Sequence, residues 1–469
     1  MTEEFSLEDL ASLPEFHHPA SSPDGERVAV YYDGTGRNEL HVIDVATGEM
    51  RWVSDGEVPR NARWPFMWAP DGGRIAYVTN ESDDLNNSDV YVADADGSDV
   101  QNLEIGIDGS EPRFADWSPD GTRLLVSDDT KDKTRCGIYD LESDSVEWFG
   151  SGEYVENPVA FLPDGGGFIA LRTRRAAVVP LVYDLGGDAT ELHLPIGVAS
   201  FPQYGDAALL GDGRVLVEQT TPTQRPALLV HDVESGATRT LLEPEYGDID
   251  LDSFADAEYV IFESHDGLEI NYRGSFGRGR EFKNSLIGDW GGAEQDDIAE
   301  GVRWLRERER IDEERVIVYG GSYGGYSAYW QMVRYSELYA AGIAWVGVTD
   351  LHDIYENTMP HFQTGLMERY LGDPEENHDL YRERSPIEYA ENLDKPLLMV
   401  HGVNDRRVPV SQARLFRDAL DEVGFEEGED RDYEYEELGE EGHGSTDIDQ
   451  KIRSFEIVDD FLARRVSAQ

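Results

Sequence analysis

A serine in the second half of the chain lies in a setting that could make it a nucleophile. Ser322 follows an apolar, β-branched run that begins after Arg315, and it stands in Gly320-Gly-Ser-Tyr-Gly324. In the Gly-x-Ser-x-Gly pattern the serine occupies a tight strand-to-helix turn, and small residues at Gly320 and Gly324 let the backbones approach. The amide of Tyr323 would then point to the same place as an oxyanion donor. The alternative is a glycine-rich loop that only links a strand to a helix.

An aspartate and a histidine follow this serine in the order that a hydrolase triad requires. Asp405 lies 83 residues after Ser322, beyond the apolar strand predicted at residues 396–400, and His443 lies 38 residues further, beyond a second predicted strand. Triads of α/β hydrolases come from loops at the carboxyl ends of strands in the order Ser, Asp, His. His443 would act as general base, and Asp405 would orient its imidazole. Each residue alone could be a loop residue, but the joint order favours a triad.

The remaining histidines and the single cysteine point to structural roles. His401 precedes Gly402 at the end of a predicted strand and is interpreted as structural. No His-Glu-x-x-His or similar spacing occurs, so we predict no metal and no cofactor. Cys136 is the only cysteine, which excludes an internal disulfide and favours a small core residue.

The elements that must position these residues alternate between strand and helix. After Phe254, strands are predicted at 259–263 and 268–270, then an amphipathic helix at 296–310, the strand before Ser322, and further strands at 341–347, 396–400 and 433–438. This alternation predicts a mostly parallel sheet and an α/β-hydrolase domain over residues 255–469.

The first half repeats one phrase with a period of about 45 residues. Pro-Asp-Gly or its degenerate form Gly-Asp-Gly recurs at Asp24, Asp71, Asp120, Asp164 and Asp212, 44 to 49 residues apart. A turn signal with this period predicts a β-propeller over residues 1–254, with about five or six blades. The turn aspartates are predicted to accept local backbone hydrogen bonds. Trp68, Trp117 and Phe161, at one offset before the turns, are predicted to pack between blades.

The charge of the chain limits its partners. Acidic residues outnumber basic residues by 97 to 40, which gives a net charge of −57. We interpret this surface, with its few lysines, as an adaptation to concentrated salt. It would repel nucleic acids and anionic membranes. Since no run approaches 18 apolar residues and the first residues lack an apolar signal core, we expect a soluble, cytoplasmic protein.

Five short motifs of the second half occur together: Gly320-Gly-Ser-Tyr-Gly-Gly325, His401-Gly-x-x-Asp405-x-x-Val-Pro409, Glu441-Gly-His-Gly444, Asn271-Tyr-Arg-Gly-Ser275 and Asp289-Trp-Gly-Gly292. In this combination the chain resembles the prolyl oligopeptidase family of serine peptidases, particularly its acylaminoacyl-peptidase and dipeptidyl-aminopeptidase branch. The resemblance implies a propeller that filters peptide substrates, a triad of Ser322, Asp405 and His443, and the Tyr323 amide as one oxyanion donor.

The chain departs from the family pattern between Ile270 and Asn271. Family members have two further strands there, and a His-Gly-Gly-Pro loop that supplies the other oxyanion donor; here the two residues are adjacent. We therefore expect a sheet that lacks strands before the nucleophile strand. One hypothesis is a peptidase of reduced activity, in which amides of residues 273–275 replace the lost donor. The other is an inactive homologue that acts as a binding protein.

Side chains for a substrate pocket are predicted from their position near the elbow. Trp345 and Val346 follow the next strand, and Tyr370 lies in the irregular stretch from 351 to 390. A position in the protein core is the alternative for all three. The pattern indicates a peptide substrate but neither its specificity nor the oligomeric state.

Overall fold

The computed structural model describes most of the chain in two compact units. The described residues are 13–34, 38–54, 66–80, 88–202, 208–211, 213–255, 257–262, 264, 272–308, 310–359, 362–445 and 447–466. One unit comprises Met1–Tyr259 with Phe276–Glu281, and the other comprises Val260–Ser275 with Phe282–Gln469. The short segment Phe276–Glu281 thus belongs to the first unit although the chain has already entered the second.

The first unit consists of antiparallel sheets. Its strands are β1 Phe16–Ser21, β2 Arg27–Tyr32, β3 Glu39–Asp44, β4 Met50–Trp52, β5 Phe66–Trp68, β6 Arg74–Asn80, β7 Ser88–Asp94, β8 Gln101–Asn102, β9 Arg113–Trp117, β10 Arg123–Asp128, β11 Arg135–Asp140, β12 Ser145–Phe149, β13 Val155–Phe161, β14 Gly167–Arg174, β15 Ala177–Asp184, β16 Ala189–Glu191, β17 Val198–Ser200, β18 Leu209–Leu210, β19 Arg214–Thr221, β20 Gln224–Asp232 and β21 Thr238–Leu242. A 3₁₀ turn, Leu251–Ser253, follows them.

These strands form blades in chain order. Strands β1–β4, β5–β8 and β9–β12 form three four-stranded sheets. Strands β13–β21 form one nine-stranded sheet, in which a short parallel pairing of Val178 with Val198 joins β13–β16 to β17–β21. The described residues therefore form five blade-like units.

The Pro-Asp-Gly turns close through the hydrogen bonds that the sequence predicts. Asp120 accepts from the Ser118 hydroxyl at 2.6 Å and from the Thr122 amide at 3.0 Å. These hydrogen bonds, led by the one from Ser118, lower the pKa of Asp120 to about 2. Gly121 adopts a positive φ of 70°, which glycine tolerates best. Asp24, Asp71, Asp120 and Asp164 are thus local structural acceptors, whereas Asp212 lies outside the described residues.

One set of contacts recurs at the joints between neighbouring sheets. The Arg74 guanidinium donates to the Gly121 carbonyl at 2.6 Å and lies 5.3 Å from the centre of the Trp117 ring. Trp117 in turn donates its indole N–H to the Met67 carbonyl at 3.2 Å. Equivalent contacts at the other joints are Arg27 with Gly72 and Trp68, and Arg123 with Phe161. The prediction that these aromatic residues pack between blades is confirmed.

The second unit is a parallel sheet covered by helices. Its strands β22 Ile317–Gly321, β23 Ala341–Trp345, β24 Leu397–Gly402 and β25 Tyr433–Leu438 are adjacent in chain order and all parallel. The helices of the chain are α1 Arg280–Asn284, whose first two residues belong to the first unit, and then α2 Ala293–Arg306, α3 Tyr323–Arg334, α4 Leu351–Asn357, α5 Arg369–Leu371, α6 His378–Glu383, α7 Ser411–Val423 and α8 Ile448–Arg465. A π-helical segment, Gln363–Glu368, precedes α5, and 3₁₀ turns cover Glu313–Arg315, Ser336–Leu338 and Pro386–Asn392.

The continuous apolar run of β24 follows from burial of the sheet on both faces. Leu397 and Met399 pack in the cluster that contains α3, whereas Leu398 and Val400 pack against Phe461 of α8 on the opposite face. Within the described residues, no helix is long and apolar enough to span a bilayer.

The fold class predicted from the sequence, a β-propeller followed by an α/β hydrolase, is confirmed, with one difference in its strands. The predicted strand at 259–263 is wrong for its described part, since residues 259–262 form no strand. The predicted strand at 268–270, and Ile270 and Asn271 themselves, lie outside the described residues. Within the described part of the chain, β22 pairs with β23 alone, and Tyr319 on it is 59% exposed. Within that part the nucleophile strand thus lies at the edge of the sheet, and the absence of strands before it stays a prediction.

Candidate active site

Ser322 lies on a strained turn between β22 and α3. Its φ of 58° and ψ of −117° are rare for a residue other than glycine. The Ser322 amide donates to the Trp345 carbonyl at 2.9 Å, and its own carbonyl accepts from the Tyr326 amide at 3.0 Å. These two hydrogen bonds hold the turn between the neighbouring strand and the first turn of the helix.

The glycines around Ser322 do not contribute equally. A Cβ atom on Gly320 would lie 2.0 Å from the Gly324 carbonyl oxygen, so this position excludes a side chain. The prediction that Gly324 is needed for the same reason is wrong, because a Cβ atom there would meet no atom within 4 Å. Gly325 is the second close approach: its Cβ would lie 2.6 Å from the Cα atom of Gly347.

The predicted triad residues lie within hydrogen-bonding distance of one another. The Nε2 atom of His443 is 2.9 Å from the Ser322 Oγ atom, and its Nδ1 atom is 2.7 Å from Oδ2 of Asp405. With the Nδ1 proton donated to Asp405, the Nε2 atom is free to accept the serine proton. This arrangement can activate the hydroxyl for attack on a carbonyl carbon.

Backbone amides fix the orientation of Asp405. Its side chain is fully buried, and its Oδ1 atom accepts from the amides of Arg407 at 2.8 Å and Val408 at 3.1 Å. The second oxygen is therefore directed to His443. The loop itself is held by His401, whose Nε2 atom donates to the Val408 carbonyl at 2.8 Å. Burial lowers the pKa of His401, which agrees with the predicted structural role.

The Tyr323 amide, the predicted oxyanion donor, lies at the N-terminus of a helix. Tyr323 is the first residue of α3, and the first N–H groups of a helix have no acceptor within the helix. The positive end of the helix dipole adds to the attraction for a developing negative charge. The predicted oxyanion residue therefore lies beside the Ser322 hydroxyl in the chain and at the correct end of the helix.

The amides that we expected to replace the second donor are already used. Arg273 donates its amide to Asp297 Oδ2 at 3.0 Å, Gly274 donates to the Phe282 carbonyl at 3.0 Å, and Ser275 donates to the Tyr272 carbonyl at 3.3 Å. The expectation that residues 273–275 supply the lost donor is therefore wrong.

Glu294 is a buried acidic residue near the elbow that the sequence analysis missed. It has no exposed surface, and it accepts hydrogen bonds from the amides of Gly291 and Gly292 and from the Tyr323 hydroxyl. Burial raises its pKa. The available signal was an acidic residue two positions after the Asp289-Trp-Gly-Gly292 motif, in the first turn of a helix.

The predicted pocket residues occupy different surroundings. Val346 is 3% exposed, and its φ of 43° is unusual for a β-branched residue. Trp345 packs partly buried against the cluster around Phe461. Tyr370 lies edge-on to Trp290, with ring centres 6.1 Å apart. The contacts of all three belong to the packed interior, and their role in binding stays a prediction.

Asp405 also lines a cavity of about 660 Å³. Side chains from α4 and from the loop before α7 line it, among them Asp353, Thr358, Arg406 and Val410. None of the three predicted pocket residues lines this cavity. In the described part of the chain, no group of three or more His, Cys, Asp or Glu side chains is placed to hold a metal ion.

Comparison with known proteins divides the chain into a β-propeller part and a hydrolase part, as the fold does. Residues 250–469 match the prolyl oligopeptidase family, and residues 10–208 match the TolB β-propeller domain. Dipeptidyl aminopeptidase BIII of Pseudoxanthomonas mexicana is 28% identical over 201 residues, which cover 42% of this chain and 28% of that protein. Dipeptidyl-peptidase 5 of Porphyromonas gingivalis is 21% identical over 440 residues, which cover 85% of this chain and 60% of that protein. The chain thus spans less than two thirds of either relative.

Solved structures show the fold similarity over nearly the whole chain. A puromycin-hydrolyzing peptidase of Mycobacterium tuberculosis has a TM-score of 0.83 at 18% identity, covering 97% of this chain and 80% of that one. An acylaminoacyl peptidase of Pyrococcus horikoshii has a TM-score of 0.62 at 17% identity, covering 97% of this chain and 89% of that one.

Proposed function

We propose that the chain is a serine peptidase that cleaves short peptides through an acyl-enzyme on Ser322. The proposal starts from the two matches, to the TolB β-propeller domain in the first half of the sequence and to the prolyl oligopeptidase family in the second half. The observation that carries the proposal is the hydrogen-bonded series Asp405, His443, Ser322, with distances of 2.7 and 2.9 Å. Its relatives named as dipeptidyl peptidases support the choice of short peptides.

Each triad residue has one task in the proposed reaction. Ser322 Oγ attacks the peptide carbonyl carbon while His443 Nε2 takes its proton, and Asp405 stabilises the imidazolium that forms. The carbonyl oxygen becomes an oxyanion, which accepts a hydrogen bond from the Tyr323 amide. His443 then gives the proton to the departing amine, which leaves an ester on Ser322. Water, deprotonated by His443, hydrolyses this ester and restores the serine.

Residues beside the elbow are proposed to select the substrate. The Trp345 carbonyl accepts a hydrogen bond from the Ser322 amide. The side chains of Trp345 and Val346 are therefore fixed in position relative to the nucleophile. Tyr370 packs on Trp290, and Trp290 lies 5.5 Å from the Tyr323 ring. We therefore keep Trp345, Val346 and Tyr370 as the proposed binding residues for a peptide side chain.

A second candidate function is that of a catalytically impaired homologue that binds peptides without efficient turnover. The engaged amides of residues 273–275 favour it, since they leave the Tyr323 amide as the evident donor. Loss of one oxyanion donor typically lowers turnover by about 100- to 1,000-fold. A protein of this kind would still present an activated serine.

Labelling with a fluorophosphonate in concentrated salt tests the proposal. We expect the probe to modify Ser322 and the protein to hydrolyse a dipeptide amide, whereas Ser322→Ala should do neither. Ser454→Ala, on α8 outside the triad, is the matched control and should behave as wild type. Wild-type protein that is labelled at Ser322 but hydrolyses no peptide would favour the impaired homologue, and folded wild-type protein that stays unlabelled would overturn the peptidase proposal.

A further inference from the structure

We propose that Glu294 is a positioning residue for the nucleophile turn, which acts by holding the Tyr323 side chain so that the Tyr323 amide is directed at the oxyanion. The inference rests on the proposed peptidase function and adds a residue that the triad does not include. Glu294 lies in the first turn of α2, 29 residues before Tyr323 in the chain. It therefore joins two helix starts that only the fold brings together.

The carboxylate of Glu294 accepts four hydrogen bonds. One oxygen accepts from the Gly291 amide, from the Tyr323 hydroxyl at 2.9 Å and from the Gln295 side chain at 3.3 Å, and the other accepts from the Gly292 amide at 2.9 Å. A buried carboxyl group is costly unless it is hydrogen-bonded in this way. Glu294 thus fixes the turn before α2 and the Tyr323 ring to one point.

The ring of Tyr323 is confined as firmly as its hydroxyl. Trp290 lies with its ring centre 5.5 Å away, and Tyr326 lies at 5.4 Å. A side chain held at its hydroxyl and at its ring leaves little freedom to the Cα atom and the amide of the same residue. Because Tyr323 directly follows Ser322, the same constraint acts on the nucleophile.

The two helices are also locked against each other by amides. The Gln295 side chain donates to the Ser327 hydroxyl at 3.0 Å, and the Gln331 side chain donates to the Gln295 carbonyl at 2.9 Å. These bonds fix the register of α2 against α3, so that the carboxylate of Glu294 cannot drift from Tyr323. Misplacement of a catalytic group by about 1 Å can cost about 100-fold in rate.

Two substitutions and their combination test the proposal. Tyr323→Phe removes only the hydroxyl that Glu294 accepts, and Glu294→Gln replaces one of the two acceptor oxygens with a donor. We expect each to lower kcat per labelled active site by about ten- to a hundred-fold with KM changed less than about twofold. If Glu294 acts through Tyr323, the double variant should be no slower than the slower single variant.

Normalisation to active sites separates positioning from folding. A merely structural role would reduce the number of sites that fluorophosphonate labels, but it would leave kcat per site unchanged. Two matched controls should retain wild-type kcat. They are Tyr319→Phe, at an exposed side chain of β22, and Glu300→Gln, on α2 beside Arg303. If Glu294→Gln fails to fold, Tyr323→Phe decides by itself.

Three outcomes would contradict the inference. Wild-type kcat per site in Tyr323→Phe and Glu294→Gln would overturn it, and so would a double variant whose loss is the product of the single losses. Both results would leave the proposed peptidase function intact, because the wild-type protein would still be active. Wild-type protein that neither reacts with the probe nor hydrolyses peptides would overturn both.

Discussion

The backbones of Gly320 and Gly324 approach so closely that a Cβ atom on Gly320 would lie 2.0 Å from the Gly324 carbonyl oxygen. The approach is one-sided, because a Cβ atom on Gly324 would meet nothing within 4 Å. This contact sets the sharpness of the turn that carries Ser322. The turn therefore excludes a side chain at position 320 but leaves space for one at position 324.

Gly320→Ala should therefore disrupt the elbow, whereas Gly324→Ala should not. The clash on Gly320 forces a shift of the backbone, for which we expect a loss of about 1–3 kcal/mol in the free energy of unfolding and a fall in kcat of about 100-fold or more. Chemical unfolding and peptide hydrolysis measure the two effects. Equal behaviour of both alanine variants would contradict the geometry of the turn.

Asp405→Asn should lower kcat by about 10⁴-fold with little change in folding, if the triad acts as proposed. An amide nitrogen in place of Oδ2 would face the Nδ1–H of His443 and favour the wrong tautomer for a general base. Steady-state hydrolysis is the measurement. Asp418→Asn, a surface position beside Arg417, serves as control, and a small effect of Asp405→Asn would show that His443 does not depend on its carboxylate.

Arg74→Gln should destabilise the propeller. The substitution removes the charged hydrogen bond to the Gly121 carbonyl and the stacking on Trp117, for a combined loss of about 2 kcal/mol. Thermal unfolding of the full chain is the measurement. Arg51→Gln breaks an exposed pair with Glu49 and should cost less than about 1 kcal/mol. A similar loss in both variants would show that the contacts between blades add nothing beyond a surface charge.

Stability should fall as the pH drops below about 6.5, in part because of His401. Burial lowers the pKa of this histidine in the folded protein, so the unfolded chain takes up a proton near pH 6.5 that the folded protein does not. This destabilisation of the folded protein is absent above that pH, and below it the free energy of unfolding falls by at most about 1.4 kcal/mol per pH unit. Chemical unfolding between pH 7.5 and 5.5 should show a shallower decline in His401→Gln than in wild type. His378→Gln, on exposed α6, should keep the wild-type slope, and an unchanged slope in His401→Gln would refute the assignment.

The melting temperature should rise with salt. The net charge of −57 creates a self-repulsion that is screened when the Debye length falls from about 10 Å at 0.1 M to about 3 Å at 1 M salt. We expect an increase of more than about 5 °C, or roughly 2 kcal/mol for domains of this size. Scans in potassium chloride measure it, with sucrose of equal osmolality as the uncharged control. An equal rise in sucrose would show that screening is not the cause.

The sequence by itself determined the features that depend on local chemistry. Turn aspartates such as Asp120 are recognisable because their partners lie two residues away, and the strand before Ser322 is recognisable from its own apolar run. The order of Ser322, Asp405 and His443 is likewise visible, since each follows a predicted strand. Local patterns repeat because the same few hydrogen bonds close each turn.

The tertiary structure alone decided which distant groups meet. It brings His443 to Ser322 across 121 residues of sequence. It also joins Glu294 to Tyr323, a contact that no local sequence pattern predicts. It also shows that Gly325 instead of Gly324 is confined, because the confining atom belongs to Gly347 in the loop after β23. Such contacts depend on how helices and strands pack, and packing is a property of the whole unit that no short stretch of sequence contains.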